Sequence, residues 1–151
     1  MRIGLGCDHG GVELKRSIAD YLSGRGIQVV DYGTDTDQSV DYPDFGEKVA
    51  VAVISGEVDG GIVICGTGIG ISIAANKIPG IRAALVTDPY MARMAKEHNN
   101  ANILALGGRV ISPEAARQMV AAWLDATYEG GRHQRRLDKI SLLEEKFRQR
   151  S

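Results

Sequence analysis

A cysteine followed by three closely spaced glycines is the part of this sequence best suited to chemistry. The apolar run at residues 62–64 predicts a buried strand, and Cys65 ends it. Gly66, Gly68 and Gly70 follow, which indicates a tight turn into a helix. At such a turn backbone N–H groups face an anion without side chains in the way, and a nearby cysteine ionises more readily than usual. Cys65 is therefore a candidate base or nucleophile, and a buried free cysteine is the alternative interpretation.

Two histidines are candidates for carrying protons. Asp8 and His9 follow the first predicted strand, and the first turn after a strand of a parallel sheet is a frequent ligand site. Simple turn residues are the alternative for this pair. His98 ends a helical pattern and is followed by Asn99 and Asn100. A core or helix-capping histidine and a site residue both remain open for His98.

A basic run near the end of the chain has a spacing that suggests more than a solvated surface. Arg132 and Arg136 share a helix face with the apolar residues Ile140, Leu143 and Phe147. Two guanidinium groups four residues apart suit a phosphate dianion. We therefore weigh a phosphate site against a solvated face, and expect the helix at about 132–148 to dock on a second subunit.

Strand and helix patterns alternate along the whole chain. Strands are predicted at residues 2–6, 27–30, 62–64, 82–86 and 103–106. The helix before the last strand is predicted to place Met91, Met94, Ala95 and His98 on one face. Repeated strand–helix units with apolar strands are typical of a parallel sheet with helices on both faces. The predicted fold is thus α/β, a three-layer α/β/α sandwich around a five-stranded parallel Rossmann-like sheet, in a single domain spanning 1–151.

Polar residues follow several of the predicted strands. Ligands of parallel sheets bind at the carboxyl ends of the strands. The residues predicted at that edge are Asp8, His9, Tyr42, Cys65 and Arg109. The candidate chemistry therefore gathers on one side of the sheet.

Composition excludes several classes of function. The formal net charge is −1 over 151 residues, so the total charge indicates neither a nucleic-acid nor a membrane partner. No apolar run approaches the length of a membrane span. Two cysteines do not make a disulfide framework, and no signal peptide is recognisable, so we expect a reducing, cytoplasmic compartment.

Cofactor sites are not predicted. The three histidines are isolated in the sequence and neither cysteine has a partner at metal-ligand spacing, so no metal site is expected. Gly66, Gly68 and Gly70 with Asp88 imitate a nicotinamide-binding fingerprint, but the glycine spacing differs from G-x-G-x-x-G. A dinucleotide-binding protein and a flavodoxin-like binding domain remain as alternatives to an enzyme without cofactor.

Six short segments together resemble one known family. They are residues 6–11 (GCDHGG), 41–43 (DYP), 64–70 (ICGTGIG), 75–77 (ANK), 98–102 (HNNAN) and 129–133 (EGGRH). In this order they are similar to ribose-5-phosphate isomerase type B, a family that also includes allose- and galactose-6-phosphate isomerases. The resemblance covers nearly the whole chain, and it is weakest at residues 35–40 and after Leu143.

The resemblance implies an aldose–ketose isomerase that needs no metal or other cofactor. Its members form homodimers, and in some cases tetramers, with active sites shared between subunits. It implies ribose 5-phosphate and ribulose 5-phosphate as the substrate pair, with allose 6-phosphate or galactose 6-phosphate as the alternatives. In that family the reaction passes through a cis-enediolate.

The resemblance also implies a role for each matching residue. Cys65 resembles the base that moves a proton between C1 and C2, and Gly66, Gly68, Ile69 and Gly70 resemble the anion-binding loop. Thr67 and His98 resemble residues that assist ring opening. Asp8 resembles a residue that handles hydroxyl protons beside Tyr42 and Asn99. The phosphate ligands implied by the resemblance are His9, Arg109, Arg132 and Arg136.

Overall fold

The computed structural model describes residues 1–148. Strands and helices alternate in the order β1 (Arg2–Cys7), α1 (Val12–Gly24), β2 (Gln28–Asp31), α2 (Tyr42–Ile54), β3 (Gly60–Cys65), α3 (Ile69–Ala75), β4 (Ala83–Leu85), α4 (Pro89–Glu97), β5 (Ile103–Gly107), α5 (Pro113–Asp125) and α6 (Arg132–Arg148). Each predicted strand is present, and no strand bound differs from the predicted one by more than two residues. Positions 149–151 of the predicted domain lie outside the described residues.

The five strands form one parallel sheet in the order β2-β1-β3-β5-β4. β3 lies at the centre, and all six of its residues are buried. In β1 the pairing places Cys7 beside Ile64, and in β5 it places Gly107 beside Cys65. The carboxyl ends of the three inner strands therefore lie side by side.

Helices cover both faces of the sheet. On one face α1, α4 and α5 pack against alternate strand residues, including Leu5, Ile62 and Leu104. On the other face α2 and α3 pack against the intervening residues, such as Val63 and Ala105. Burying both faces matches the nearly continuous apolar strands. The predicted three-layer α/β/α sandwich with a five-stranded parallel sheet is confirmed.

Helix starts in this chain follow local chemistry. Asp88 accepts a hydrogen bond from the Met91 N–H at 2.8 Å, and Ser112 accepts one from the Ala115 N–H at 3.1 Å. A proline follows each of these N-caps as the first helical residue. α4 buries Ala92 and Ala95, so Ala95 of the predicted shared face is in the core, whereas Met91 of that face is 40% exposed.

The last helix, α6, lies beside the edge strand β4. Leu137 of this helix is buried, and together with Ile140, Ala83 and Ala84 it lines a cavity of about 250 Å³. Glu144 accepts a hydrogen bond from the Gly80 N–H at 3.0 Å. Among residues 1–148 no helix has the length and apolar content needed to cross a membrane.

Candidate active site

Cys65 stands at the carboxyl end of the central strand, as predicted. Its side chain lies on the α2–α3 face, and the residue is 5% exposed. The Gly68 N–H donates a hydrogen bond to Cys65 Sγ at 3.2 Å. The Ile69 N–H donates to Thr67 Oγ1, also at 3.2 Å. The turn before α3 therefore directs the Gly68 N–H at the sulfur and the Ile69 N–H at the Thr67 hydroxyl.

The glycines of this turn are required by its geometry. Gly68 has φ of +81°, and a Cβ there would lie 2.8 Å from the Leu106 carbonyl carbon. A Cβ on Gly70 would lie 2.5 Å from the ring of Tyr42 and 2.8 Å from its hydroxyl oxygen. Tyr42, the first residue of α2, is 40% exposed. Its hydroxyl therefore projects over the turn that follows Cys65.

The turn after β1 lies against the turn after β3. The Asp8 N–H donates to the Ile64 carbonyl at 3.1 Å, and Asp8 Oδ1 accepts from the Gly10 N–H at 2.8 Å. A Cβ on Gly10 would lie 3.2 Å from the backbone nitrogen of Gly66. Asp8, which is 7% exposed, is thus fixed close to the Cys65 turn.

The orientation of His9 is set by the loop before α2. His9 Nδ1 accepts a hydrogen bond from the Val40 N–H at 3.2 Å. An accepting Nδ1 carries no proton, so the proton of a neutral imidazole is on Nε2. His9 therefore offers Nε2 as a donor.

Arg109 follows β5 and is tied by its backbone to the same turn. The Gly108 N–H donates to the Cys65 carbonyl at 2.8 Å, and the Arg109 N–H donates to the Gly66 carbonyl at 3.0 Å. A Cβ on Gly66 would lie 3.2 Å from Arg109 Nη1. His9, Arg16 and Arg109 line one cleft of about 600 Å³. This edge of the sheet therefore combines a thiol, a carboxylate and several cationic or N–H donors.

A buried lysine holds the loop that contacts His9. Lys15 Nζ is within hydrogen-bond distance of Asp31 Oδ1 (2.7 Å), the Thr34 carbonyl (2.7 Å) and Asp35 Oδ1 (3.0 Å). Burial works to lower the pKa of Lys15, but the two carboxylates outweigh it and raise that pKa above its ordinary value. The same ammonium group lowers the pKa of Asp35.

The second cysteine has a different environment from Cys65. Cys7 is fully buried on the opposite face of the sheet, and its Sγ lies 3.5 Å from the Thr34 carbonyl oxygen. Burial raises the pKa of Cys7 to about 11. Cys7 therefore remains a neutral thiol at neutral pH.

The other predicted site residues lie at the opposite edge of the sheet. His98 caps the C-terminal end of α4, and Asn99 follows it on the way into β5. Because strands and helices run in opposite directions in this fold, these residues lie beyond the amino ends of the strands. β3 separates the two edges by about 16 Å, at 3.3 Å per residue. Arg132 and Arg136, both exposed, begin α6.

Comparison with known proteins identifies the family. The family model described as Ribose/Galactose Isomerase matches residues 3–140. Ribose-5-phosphate isomerase B of Escherichia coli (strain K12) is 52% identical, over 96% of this chain and 97% of that protein. The chain belongs to the ribose/galactose isomerase family. The predicted family and the prediction of a sugar-phosphate isomerase are therefore confirmed.

Further comparisons find a similar solved structure and a relative that is named for a different sugar phosphate. The solved structure of Clostridium thermocellum ribose-5-phosphate isomerase B has a TM-score of 0.96 at 62% identity, covering 97% of this chain and 99% of that one. D-erythrulose-4-phosphate isomerase of Pectobacterium atrosepticum is 45% identical over 95% of both chains. Relatives of this isomerase thus carry names with different sugar phosphates.

The isomerase contains a side-chain cluster that sequence reasoning missed. The rings of His98 and His133 stack with centroids 4.2 Å apart and an interplanar angle of 15°. Glu129 Oε1 lies 3.2 Å from His133 Nε2 and 3.6 Å from His98 Nε2. The description of the three histidines as isolated is wrong for this pair. The spacing of Glu129 and His133, four residues apart, was the available signal, but it gave no indication of His98.

Proposed function

We propose that this isomerase interconverts ribose 5-phosphate and ribulose 5-phosphate through a cis-enediolate, with Cys65 as the base. The observation that carries the proposal is the hydrogen bond from the Gly68 N–H to Cys65 Sγ at 3.2 Å. This contact fixes the sulfur at the carboxyl end of the central strand, where ligands of parallel sheets bind and where a base for proton abstraction is needed. The ribose-5-phosphate isomerase names of relatives that are 52% and 62% identical support the choice of substrate.

In this mechanism Cys65 removes the proton from C2 of the aldose and returns a proton to C1, while Asp8 handles the hydroxyl proton that moves from O2 to O1. The negative charge that develops on the sugar oxygen is stabilised by N–H groups of the loop Gly66, Gly68, Ile69 and Gly70. One well-placed donor of this kind contributes about 3–4 kcal/mol to the transition state. Tyr42 and Asp8, which border the same turn, contact the sugar hydroxyls.

The remaining groups are divided between two copies of the chain in a homodimer: Thr67, His9 and Arg109 lie at the Cys65 edge of one chain, and the second copy supplies His98, Asn99, Arg132 and Arg136. His98 and Thr67 assist ring opening, Asn99 binds the sugar, and His9, Arg109, Arg132 and Arg136 bind the phosphate. Since His98 and the two α6 arginines lie at the far edge of the sheet from Cys65, one chain does not complete this site. The exposed apolar residues of α6, Ile140, Leu143 and Phe147, favour docking of this helix on a partner.

Subunit mixing tests the shared site directly. Cys65→Ala removes the base and leaves the α6 edge intact, whereas His98→Ala/Arg136→Ala does the reverse. When the two inactive proteins exchange subunits in equal amounts, half of the dimers are hybrids with one intact site. We expect about a quarter of wild-type activity to return, as a two-fold symmetric dimer requires. No recovery after demonstrated subunit exchange would contradict the shared site.

Substrate identity is tested by comparing kcat/KM for ribose 5-phosphate, allose 6-phosphate and galactose 6-phosphate. We expect ribose 5-phosphate to be preferred. The family description also includes galactose, so the hexose phosphates are the second candidate. A higher kcat/KM on either hexose phosphate would replace the proposed substrate and leave the isomerase chemistry in place.

A further inference from the structure

The cluster of His98, Glu129 and His133 has the geometry of a support for one imidazole. His133 is 6% exposed, so its ring is a fixed surface on which the ring of His98 stacks. The His98 side chain is 38% exposed and is the member of the pair that a substrate can reach. Glu129 Oε1 lies near Nε2 of both rings, at 3.2 and 3.6 Å.

A backbone hydrogen bond fixes the position of Glu129, in addition to the contacts of its side chain. The Glu129 N–H donates a hydrogen bond to the carbonyl of Glu97, the residue before His98, at 3.0 Å. Gly130 and Gly131 have φ of +66° and +57°, a region that favours glycine. The resulting turn lets the His133 N–H donate to the Gly130 carbonyl at 3.1 Å. The turn thus places the start of α6 beside the C-terminal end of α4, so that the ring of His133 stacks on the ring of His98.

The same three residues offer metal-ligand atoms, all within 4.8 Å of one another. However, the two rings are within 15° of parallel and are stacked. The lone pairs of parallel stacked imidazoles point side by side, whereas a tetrahedral metal ion needs ligands that converge on it. The arrangement favours contact between a carboxylate and two stacked imidazoles over metal binding.

We propose that Glu129 and His133 are positioning residues that orient His98 for opening the furanose ring. This inference rests on the proposed function. Ring opening takes the proton from the C1 hydroxyl, breaks the C1–O4 bond to leave a C1 aldehyde, and delivers a proton to O4. An imidazole that carries the proton between these oxygens becomes an imidazolium on the way. Glu129 stabilises that charge, and His133 fixes the plane of the ring.

The test separates ring opening from proton transfer at carbon. Ribulose 5-phosphate has its O5 phosphorylated, so it has no hydroxyl that can close a five-membered ring on C2. Exchange of its C1 proton with D₂O therefore requires the base and not the ring-opening groups. Turnover of ribose 5-phosphate requires both. The two rates are measured for wild type, Glu129→Gln, Glu129→Asp and the control Asp20→Asn, which removes an exposed carboxylate on α1.

We expect Glu129→Gln to lower kcat for ribose 5-phosphate by about tenfold or more, since a positioned proton carrier contributes about 10²–10⁴-fold. Its exchange rate with ribulose 5-phosphate should remain within about twofold of wild type, because Glu129 takes no part at C1 or C2. Glu129→Asp should recover part of the turnover, and Asp20→Asn should match wild type.

Three outcomes would overturn the inference. Equal losses of turnover and exchange in Glu129→Gln would indicate a general structural role, and no loss in either would remove Glu129 from the reaction. Binding of Co²⁺ with a visible absorption band that disappears in Glu129→Gln would make the cluster a metal site. Failure of the proposed function is distinguishable, because it would appear as C1 exchange that survives in Cys65→Ala.

Discussion

The backbone N–H of Gly68 donates a hydrogen bond to the sulfur of Cys65 at 3.2 Å. This donor comes from a residue three positions later, so the sulfur and its donor are fixed by one tight turn. Cys7, at the end of the neighbouring strand, instead faces a carbonyl oxygen. The two sulfurs therefore differ in their contacts, a backbone N–H at Cys65 and a carbonyl oxygen at Cys7.

Replacement of Cys65 should abolish turnover, whereas replacement of Cys7 should leave turnover near that of wild type. Cys65→Ala should abolish isomerisation and C1 proton exchange while binding of a sugar phosphate survives, because it removes only the proposed base. The matched control is Cys7→Ala, which removes a thiol whose pKa of about 11 keeps it neutral. Steady-state kinetics and calorimetric binding check both variants. Near-normal turnover in Cys65→Ala would remove the thiol from the mechanism.

Substitution of Gly68 should lower the free energy of unfolding through both backbone strain and overpacking. The same substitution at Gly56 separates these two causes. Gly68 and Gly56 both have φ of +81°, but a Cβ on Gly56 meets nothing within 4 Å, while one on Gly68 meets Leu106 and Leu85. Gly56→Ala therefore measures the backbone strain alone, which we expect to cost about 1 kcal/mol of unfolding free energy. Gly68→Ala should cost about 1–3 kcal/mol more from overpacking. Urea unfolding of both variants makes the comparison, and equal losses would contradict the packing argument.

Substitution of Gly70 should act through Tyr42. A Cβ at position 70 meets the end of the tyrosine side chain and not the backbone, so the ring can move away. We expect Gly70→Ala to lose less unfolding free energy than Gly68→Ala but to lower kcat/KM, because the displaced hydroxyl leaves the sugar site. In a Tyr42→Ala background the additional effect of Gly70→Ala on kcat/KM should shrink. Additive effects would place the loss elsewhere.

The Lys15–Asp35 contact should make stability depend on pH in the acid range. Lys15 lowers the folded-state pKa of Asp35, so this carboxylate stabilises the fold above its unfolded pKa of about 3.9, and the contribution is lost as the pH falls through the lower folded value. The unfolding free-energy difference between wild type and Asp35→Asn should therefore grow as the pH rises from about 2 to about 5. Because Asp35 is 70% exposed, the effect should be small and should weaken with salt. A pH-independent difference would contradict the contact.

Much of the fold could be predicted because every strand is a short apolar run bounded by glycine or polar residues. The strand order could not, since β5 inserts between β3 and β4 without a local signal in the chain. The predicted shared face of α4 included Ala95, which is buried, but it omitted Ala92, because the close packing of α4 and α5 favours small residues over a larger one such as Met91.

Part of the candidate site could likewise be predicted from the sequence, and part could not. Residues directly after strands, such as Asp8, Cys65 and Arg109, could be assigned to one edge from the parallel topology alone. The position of His98 at the opposite edge also follows from this topology, because His98 ends a helix that runs opposite to the strands. The pairing of His98 with His133 depends on the turn at Gly130 and Gly131, which both have positive φ. Residue spacing does not predict the direction in which that turn sends the chain.

The length of β3 has a further consequence for the proposed enzyme. A strand buried on both sides and hydrogen-bonded to two neighbours does not bend or shorten, so thermal motion of one folded chain never brings His98 to the sulfur at the other end. Specific activity should then fall when the protein is diluted below the dissociation constant of its dimer. In such an enzyme, a substitution that separates the subunits would inactivate both active sites of the dimer, even if it lies far from every reacting atom.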